Sequence, residues 1–479
     1  MRSSSLHQAT AVLPVVLCLL VEANALCADS TLPPARDATV AAPSGDPFPA
    51  SESLRDRVEF WRSAFAVWGR GQVALHDLDH PSLVYEVLDL PGEIRDTYTE
   101  AQERFVRSRK QALEARLRAL TSKIVGRAPL TDDEKTLALD ITTHAGIAAI
   151  LGADRRVRPQ RGLRERFRRG LEISGRYDVA FREIFRAAGV PEDLAYLPHV
   201  ESSFQTEARS SAGAVGIWQF TRPAARVFLK LNSVVDERRD PIASARGAAR
   251  YLREAYDLLG DWALALTSYN HGLAGMSRAK ARFGNDFDRI INEYDGRSFG
   301  FASKSFYCEF LAVREIAQNT GAFFPEGLAL EPPLALDRMI LDKPATAHRI
   351  AEVYGVPVAK LVSLNASWLH RAVKGGIALP TGTEVWLPDG TLARVAATEN
   401  RRTVGPDAAT GQKLVVRDGE PTASPSWSDA IVHVVQRGES LFTIAASYGL
   451  RAADLFGPNK LTARSIIHPG QRIQIPLGR

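Results

Sequence analysis

Apolar residues recur every three or four positions from about Leu54 to residue 320, and no other feature constrains the fold as strongly. Pro191 and Pro241 stand where such stretches begin, as proline does in the first turn of a helix. One stretch keeps the helix period throughout, at Ile242, Ala245, Ala249, Leu252, Tyr256 and Leu259. The spacing predicts a helical N-terminal region at residues 56–185 and an all-α domain at residues 186–320.

Short elements replace the helical pattern beyond Pro325. The last segment, HVVQRGESLFTIAASYGLRAADLFGPNKLTARSIIHPGQRIQIP, predicts strand, helix, helix and strand within residues 431–477. Residues 341–389 repeat this order, with Ile-Ala, Tyr-Gly and a later Asn before a Pro-containing turn, but they lack the Gly-Glu-Ser-Leu opening. We therefore predict two small α+β modules of βααβ order, the first one degenerate, separated by a polar linker at residues 396–428.

Residues 1–28 have the features of a secretory signal peptide. A basic Arg2 precedes an apolar run at residues 11–21, and small residues surround a cleavage site near Ala25. The apolar run is too short to span a bilayer comfortably. We therefore expect export to the periplasm or the cell envelope.

Cys27 raises the alternative of a lipid anchor and of membrane association through the N-terminus. Leu26 disfavours that alternative, because a small residue usually precedes a lipidated cysteine. Residues 29–55 are rich in Pro, Ala, Ser and Asp, and they predict a flexible linker.

Composition narrows the function only a little. The 479-residue chain is 45% hydrophobic and 24% charged, as expected for a globular protein of several domains. Its net charge of +5 would suit nucleic acid, acidic lipid or an anionic cell wall equally. Cysteines occur only at positions 18, 27 and 308, without CxxC or HExxH spacing, so we predict no disulfide framework and no metal site, and a buried free thiol at Cys308.

Arginines are concentrated in RVRPQRGLRERFRRG, residues 156–170. A solvated helix face is the simpler interpretation. Contact with an anionic glycan or another partner is the alternative.

Glu201 closes an apolar helix stripe in LAYLPHVESSF. Leu194 and Leu197 stand seven and four positions earlier, so all three side chains share one face of a helix. A carboxylate on the buried side of a helix is unfavourable unless it is paired or protonated. Glu201 is therefore either a structural ion-pair partner or an acid whose pKa is raised.

The stretch HVESSF, followed by SSAGAVGIWQF and LTSYNHG, resembles the lytic transglycosylase (SLT) domain of glycoside hydrolase family 23. The C-terminal pattern resembles a LysM domain, a module that binds peptidoglycan or chitin. The resemblance implies a multidomain protein with an all-α, lysozyme-like catalytic domain after the helical N-terminal region. It also implies that residues 341–389 form a degenerate LysM-like module and residues 431–477 a LysM domain.

The resemblance places the family's single catalytic acid on Glu201. The positions that it assigns to substrate binding are Ser202, Ser210, Gly216, Gln219, Tyr269 and Asn270. One departure concerns a Glu-Thr pair of many relatives, where this chain has Ala302-Ser303. Glu309, a turn or two later, is a candidate replacement.

The implied reaction cleaves the MurNAc–GlcNAc bond of peptidoglycan strands. Most glycosidases use two carboxylates, and Glu201 has no obvious partner in the sequence. The resemblance implies that Glu201 protonates the glycosidic oxygen and then accepts the proton of the sugar's own 6-hydroxyl, leaving a 1,6-anhydro end. We expect no cofactor and no metal, peptidoglycan rather than nucleic acid as the partner, and a monomer. The alternatives are a muramidase of goose-lysozyme type that uses water, and an inactive wall-binding scaffold.

Overall fold

The computed structural model describes residues 45–403 and, within 431–475, residues 431–435, 441, 444–445, 455–459, 461, 465, 467–468 and 470–475. The predicted signal peptide, residues 29–44 of the predicted linker and residues 404–430 lie outside this part. The chain forms two compact units, Met1–Thr221 with Ala248–Pro333 and Arg222–Gly247 with Leu334–Arg479.

Helices are the main elements of the first unit, and the second unit combines helices with short strands. The α-helices are α1 Glu52–Ala66, α2 Glu100–Val125, α3 Asp132–Ala145, α4 Arg164–Ser174, α5 Asp178–Ala187, α6 Leu197–Glu201, α7 Arg222–Phe228, α8 Pro241–Leu259, α9 Trp262–His271, α10 Leu273–Phe283, α11 Phe287–Glu293, α12 Phe301–Gln318, α13 Thr320–Phe323, α14 Ala347–Tyr354, α15 Val358–Leu364, α16 His370–Val373, α17 Thr391–Thr403 and α18 Phe456–Asn459. The strands are β1 Gln72–Asp77, β2 Val84–Asp89, β3 Val157–Arg161, β4 Leu336–Ile340, β5 Glu384–Pro388, β6 Ile431–Val434 and β7 Arg472–Ile475. Short 3-10 helices span Ile147–Ile150, Ala153–Arg155, Glu192–Tyr196 and Glu237–Arg239.

A three-stranded antiparallel sheet lies within the region predicted to be helical at residues 56–185. Its strand order is β2-β1-β3, and it shares a core with α2, in which Val73 and Leu75 of β1 pack with Leu117 and Leu120. The central strand β1 is buried at five consecutive positions, so it lacks the alternation of apolar and polar residues that identifies a strand in a sequence. The prediction of helix was therefore wrong for these three segments and right for the helices around them.

The predicted linker at residues 29–55 ends earlier than expected. Phe48 is only 1% exposed, and its ring centroid lies 4.9 Å from that of Phe310. The hydroxyl of Tyr307 donates a hydrogen bond of 3.0 Å to the carbonyl of Pro49, and α1 already begins at Glu52. Contacts with residues distant in the chain hold this segment, which composition alone assigned to a linker.

Side-chain caps start several helices of the first unit. The hydroxyl of Thr99 accepts the N–H of Gln102 in a capping box at α2. Asp261 accepts the N–H of Leu264 at α9. The later helices share a core that includes Leu259, Leu264, Met276, Phe283 and Ile290.

The second unit contains two small antiparallel strand pairs, β4 with β5 and β6 with β7. Helices α14, α15 and α16 lie between β4 and β5 in sequence, and α18 lies between β6 and β7. The first module begins at Leu336, five residues before the predicted start at 341. Helix α17 extends from Thr391 to Thr403, so the first residues of the predicted linker 396–428 are helical.

Residues 222–247 depart from the predicted domain 186–320, because they belong to the second unit. Val234 and Val235 are buried in one cluster with Met339, Leu341 and Ile350. The N–H of Leu369 also donates a hydrogen bond of 2.9 Å to the carbonyl of Val234. These contacts are non-local, and the helical periodicity of residues 222–247 does not reveal them.

The two strand pairs are each tied to an asparagine in the same way. Asn365 donates to the carbonyls of Leu361 and Trp386, each at 2.8 Å, and accepts the N–H of Trp386 at 2.8 Å. Asn459 donates to the carbonyls of Leu455 and Gln474 at 2.8 Å and accepts the N–H of Gln474 at 2.6 Å. We call this arrangement the asparagine fork.

Among the described residues, no helix combines the length and the apolar character that crossing a bilayer requires.

Candidate active site

Glu201 is the last residue of the short helix α6 and lies at the centre of the candidate site. The 3-10 helix Glu192–Tyr196 leads into α6. Leu194 and Leu197 are fully buried and Glu201 is 7% exposed. The shared buried face predicted from their spacing is therefore confirmed.

Two consecutive residues after Glu201 adopt left-handed backbone conformations. Ser203 has φ 52° and Phe204 has φ 58°, a conformation that costs a non-glycine residue about 1–2 kcal/mol. Gly170 of α4 permits a close approach to this turn, because a Cβ atom on it would lie 2.8 Å from the carbonyl oxygen of Ser203. The Phe204 ring is buried with its centroid 4.5 Å from that of His199. The strained turn ends α6 abruptly, so that Glu201 stands at its tip.

Burial raises the pKa of the Glu201 carboxyl well above its ordinary value of 4.5, and the nearby Glu309 carboxyl raises it further. No hydrogen bond and no ion pair stabilises the ionised form of Glu201 in the part of the chain that the structure describes. The ion-pair interpretation of Glu201 is therefore wrong. Burial favours the protonated carboxyl, which is the form that can donate a proton.

A cavity of about 50 Å³ adjoins Glu201, which is room for about one water molecule. Three elements from different parts of the first unit supply side chains to its walls. These are Trp61 and Phe65 of α1, Arg158 and Gln160 of β3, and Phe301 and Glu309 of α12. Glu201, Ser202, His199 and Arg166 complete the polar lining.

Glu309 is the second carboxyl group of this cavity. Burial raises its pKa to about 8, and the positive charge of Arg158 partly offsets that effect. Glu309 is the residue that the sequence suggested as a replacement for the Glu-Thr pair of relatives. The structure places it beside Glu201, whereas Ser303 donates a hydrogen bond of 2.8 Å to the side-chain oxygen of Asn270.

Ser202 also lines the cavity, but its hydroxyl is engaged elsewhere. Its Oγ donates a hydrogen bond of 2.8 Å to the carbonyl of Ile217, which connects the Glu201 turn to the loop GAVGIWQF. In this loop Gly216 has φ 82° and Gln219 has φ 47°. The amide of Gln219 donates a hydrogen bond of 2.7 Å to the carbonyl of Gly216. Ser202, Gly216 and Gln219 thus fix the backbone next to the acid.

Tyr269 is 2% exposed, and its hydroxyl donates a hydrogen bond of 2.8 Å to the carbonyl of Trp218. Burial raises its pKa well above the ordinary value, and the neighbouring Glu201 raises it further. Ser210 lies in a turn where its Oγ accepts the N–H of Ala214 at 3.0 Å. Tyr269 is therefore close enough to Glu201 for the charge of Glu201 to raise the pKa of its hydroxyl, and Ser210 stabilises a loop.

Of the residues predicted for the site, Glu201 and Ser202 line the described cavity, and Ser210, Gly216, Gln219, Tyr269 and Asn270 do not. The structure adds Arg158 and Gln160, which alternate along β3 and face the same side. Arg158 and Gln160 are two positions apart in RVRPQR, which is the period of a strand, but the longer helical pattern on both sides favoured a helix. Arg158 therefore lies on a strand, not on the solvated helix face that the arginine cluster suggested.

His199 is the remaining titratable group of the cavity that the sequence analysis did not select. Complete burial lowers its pKa to about 3, so the ring is neutral. In the described residues its Nδ1 atom has no hydrogen-bond partner.

No group of three or more His, Cys, Asp or Glu residues with metal-binding geometry occurs in the same part of the chain. Cys308 is buried and free, as predicted.

Comparisons with known proteins identify two regions. The family description "Transglycosylase SLT domain" matches residues 180–292, and "LysM domain" matches residues 433–476. The chain contains an SLT domain and a C-terminal LysM domain. The SLT match includes Glu201 and every residue predicted for the site, whereas Arg158, Arg166 and Glu309 lie outside it.

Two curated relatives are similar over a large part of the chain. Both are named "Membrane-bound lytic murein transglycosylase D", one from Escherichia coli strain K12 and one from E. coli O6:H1 strain CFT073. Each is 29% identical over 299 residues, which is 60% of this chain and 61% of the relative. The chain therefore matches about three fifths of the length of these relatives.

One solved structure, an inactive mutant of lytic transglycosylase Slt from Pseudomonas aeruginosa, is 18% identical with a TM-score of 0.25. That match covers 32% of this chain and 25% of the other. A likeness at this level supports no structural inference.

Proposed function

We propose that this protein is a lytic transglycosylase of the cell envelope that cleaves the MurNAc–GlcNAc β-1,4 bond of peptidoglycan. The single observation that carries the proposal is the buried, unpaired carboxyl of Glu201 within the SLT match. The name of the two curated relatives supports the same reaction. The LysM domain would hold the protein on its polymeric substrate.

Glu201 would perform both proton transfers. Its neutral carboxyl donates a proton to the glycosidic oxygen while the bond from this oxygen to C1 of MurNAc breaks. The 6-hydroxyl oxygen of the same MurNAc then bonds to C1, and its proton passes to the Glu201 carboxylate. The acid is regenerated, no water is consumed, and the product ends in 1,6-anhydro-MurNAc. An attacking group within the substrate has a high effective molarity, which replaces a second catalytic carboxylate.

The second carboxyl in the cavity is the one observation that favours the water-using alternative. Glycosidases that use water pair an acid with a second carboxylate that activates the water or attacks C1, and Glu309 lines the same cavity as Glu201. Analysis of the products separates the two reactions, because hydrolysis leaves reducing MurNAc ends and transglycosylation leaves anhydro ends.

The experiment is digestion of purified sacculi by the wild-type protein and by E201Q, followed by mass spectrometry of the released fragments. Loss of a general acid is expected to lower the rate by about 10²–10⁴-fold. Binding to sacculi should be unchanged. E207Q is the matched control, because Glu207 is exposed and follows Glu201 by six residues. Digestion by E201Q at the wild-type rate would refute the assignment, and activity lost equally in both variants would point to a general defect.

The first module, residues 336–388, is proposed to be a LysM-like fold that does not bind the wall. The asparagine fork at Asn365 supports the fold, since Asn459 of the matched LysM domain makes the same contacts. The loop after this asparagine pairs with the chain itself: the N–H of Asp236 donates a hydrogen bond of 2.8 Å to the carbonyl of Ser367. The indole of Trp386 donates a hydrogen bond of 2.9 Å to Asp240. We propose that this module holds residues 222–247 and that, of the two small modules, only the C-terminal LysM domain binds peptidoglycan.

A further inference from the structure

Three charged side chains of the Glu201 cavity come from outside the SLT match. Arg158 lies on β3 and Arg166 on α4, both before the match, and Glu309 lies on α12, after it. All three belong to the first unit. The N-terminal sheet therefore contributes directly to the surroundings of the proposed acid.

Arg158 is held in place without neutralisation of its charge. Its guanidinium carbon lies 4.3 Å from the centre of the Phe301 ring, a cation–π contact. Its Nε atom is buried and has no hydrogen-bond partner in the described residues. No carboxylate lies within 4.0 Å of its guanidinium in that part of the chain. The charge of Arg158 lowers the pKa of the Glu309 carboxyl, which lines the same cavity.

Most other titratable groups around Glu309 carry no charge that could act on it. His199 and His76 are neutral, because burial lowers the pKa of each to about 3. Tyr269 of α9 is neutral as well, because burial raises its pKa. On α4, Arg166 donates a hydrogen bond of 3.2 Å to the carbonyl of Ser202.

On the remaining packed elements, the nearby charges are engaged elsewhere. The 3-10 helix before α6 carries Asp193, which pairs with Arg314 at 2.7 Å. On α1, the side chains that reach the cavity are Trp61 and Phe65, while Arg57 acts on Cys308, Asp79 and Asp77. Burial keeps Glu309 protonated up to a pH of about 8, the pKa of its carboxyl, and Arg158 is the nearby charge that favours the ionised form.

We infer that Arg158 and Glu309 are positioning residues for the proton of Glu201: where Glu309 is ionised, its carboxylate holds the proton on Glu201, and the guanidinium of Arg158 favours that ionised form of Glu309. The inference rests on the proposed function, because it concerns the acid of that reaction. A negative charge in a cavity with little water opposes the ionisation of a second carboxyl. A cation opposite that charge lowers the energy of the singly ionised pair.

The two positioning residues act on Glu201 in opposite directions. E309Q removes the negative charge, so Glu201 loses its proton at a lower pH. R158Q removes the positive charge, so both carboxyl groups keep their protons to a higher pH. A substitution that merely loosens the site would lower the rate without such opposed shifts.

The test is the pH dependence of kcat/KM for the full-length protein with a defined peptidoglycan glycan as substrate. The alkaline limb is expected to move down by about one pH unit in E309Q and up by about one unit in R158Q. R158K should restore the wild-type profile, because it keeps the charge. R155Q is the matched control: Arg155 is exposed, three residues from Arg158, and its replacement should leave both limbs in place.

Unchanged limbs, or shifts in the same direction, would overturn the inference. Complete loss of activity in folded E309Q at every pH would also overturn it, because Glu309 would then be a base or nucleophile. If R158Q fails to fold, E309Q and R158K still give decisive profiles. Failure of the proposed function is distinguishable, because it would appear as full activity in E201Q or as reducing ends in the wild-type products.

Discussion

Replacing Glu309 by glutamine is expected to stabilise the protein at neutral pH. The pKa of Glu309 rises from 4.5 to about 8 in the folded protein. In the unfolded chain the carboxyl ionises above pH 4.5, whereas in the folded protein it must keep its proton until about pH 8. A raised carboxyl pKa therefore lowers stability above pH 4.5, and the loss grows until the folded pKa is reached.

The size of the effect follows from the pKa difference. Each pH unit above the unfolded pKa costs about 1.4 kcal/mol, so the loss reaches about 3 kcal/mol at pH 7. Glutamine imitates the neutral carboxyl and retains the same Arg158 beside it, so the loss disappears in E309Q.

The assay is thermal unfolding of the wild type and E309Q between pH 4 and pH 8. We expect equal midpoints at pH 4 and a higher midpoint for E309Q at pH 7, by roughly 6–12 °C for a unit of this size. E315Q is the control, because Glu315 lies on the same helix with a side chain 39% exposed and pairs with Arg62 at 2.7 Å. Its loss should cost less than about 1 kcal/mol. Equal midpoints at pH 7, or a less stable E309Q, would refute the buried state of Glu309.

Two further predictions concern other parts of the fold. G170A should destabilise the protein by about 1–3 kcal/mol, because the added Cβ would meet the Ser203 carbonyl, although alanine normally favours a helix. Urea unfolding measures the change in stability, and a gain in stability would contradict the close approach. N459A should weaken binding to sacculi. N365A should lower the unfolding free energy by a few kcal/mol and leave binding to sacculi intact. A co-sedimentation assay measures binding, and loss of binding in N365A would contradict the assignment of the two modules.

The sequence was sufficient for features that depend on local spacing. The helix that begins at Pro241, the buried face shared by Leu194, Leu197 and Glu201, and the buried thiol of Cys308 all follow from periodicity and neighbouring residues. Each depends on the chain within one or two turns, where backbone geometry is regular.

The N-terminal sheet was not predictable in the same way. Strand β1 is buried at almost every position, so its sequence carries no alternation, and short apolar runs fit a helix equally well. Phe48 and residues 222–247 were also misassigned, because their partners lie far away in the chain. Contacts between distant residues leave no local pattern.

The sequence by itself determined which residue is the candidate acid and that its helix face is apolar. Only the tertiary structure decided that the pKa of Glu201 is raised, and that Glu309, Arg158 and Arg166 line the same cavity. The reason is physical: a pKa depends on the water and the charges that remain around a group after folding. Those charges come from β3, α4 and α12, which packing alone brings together.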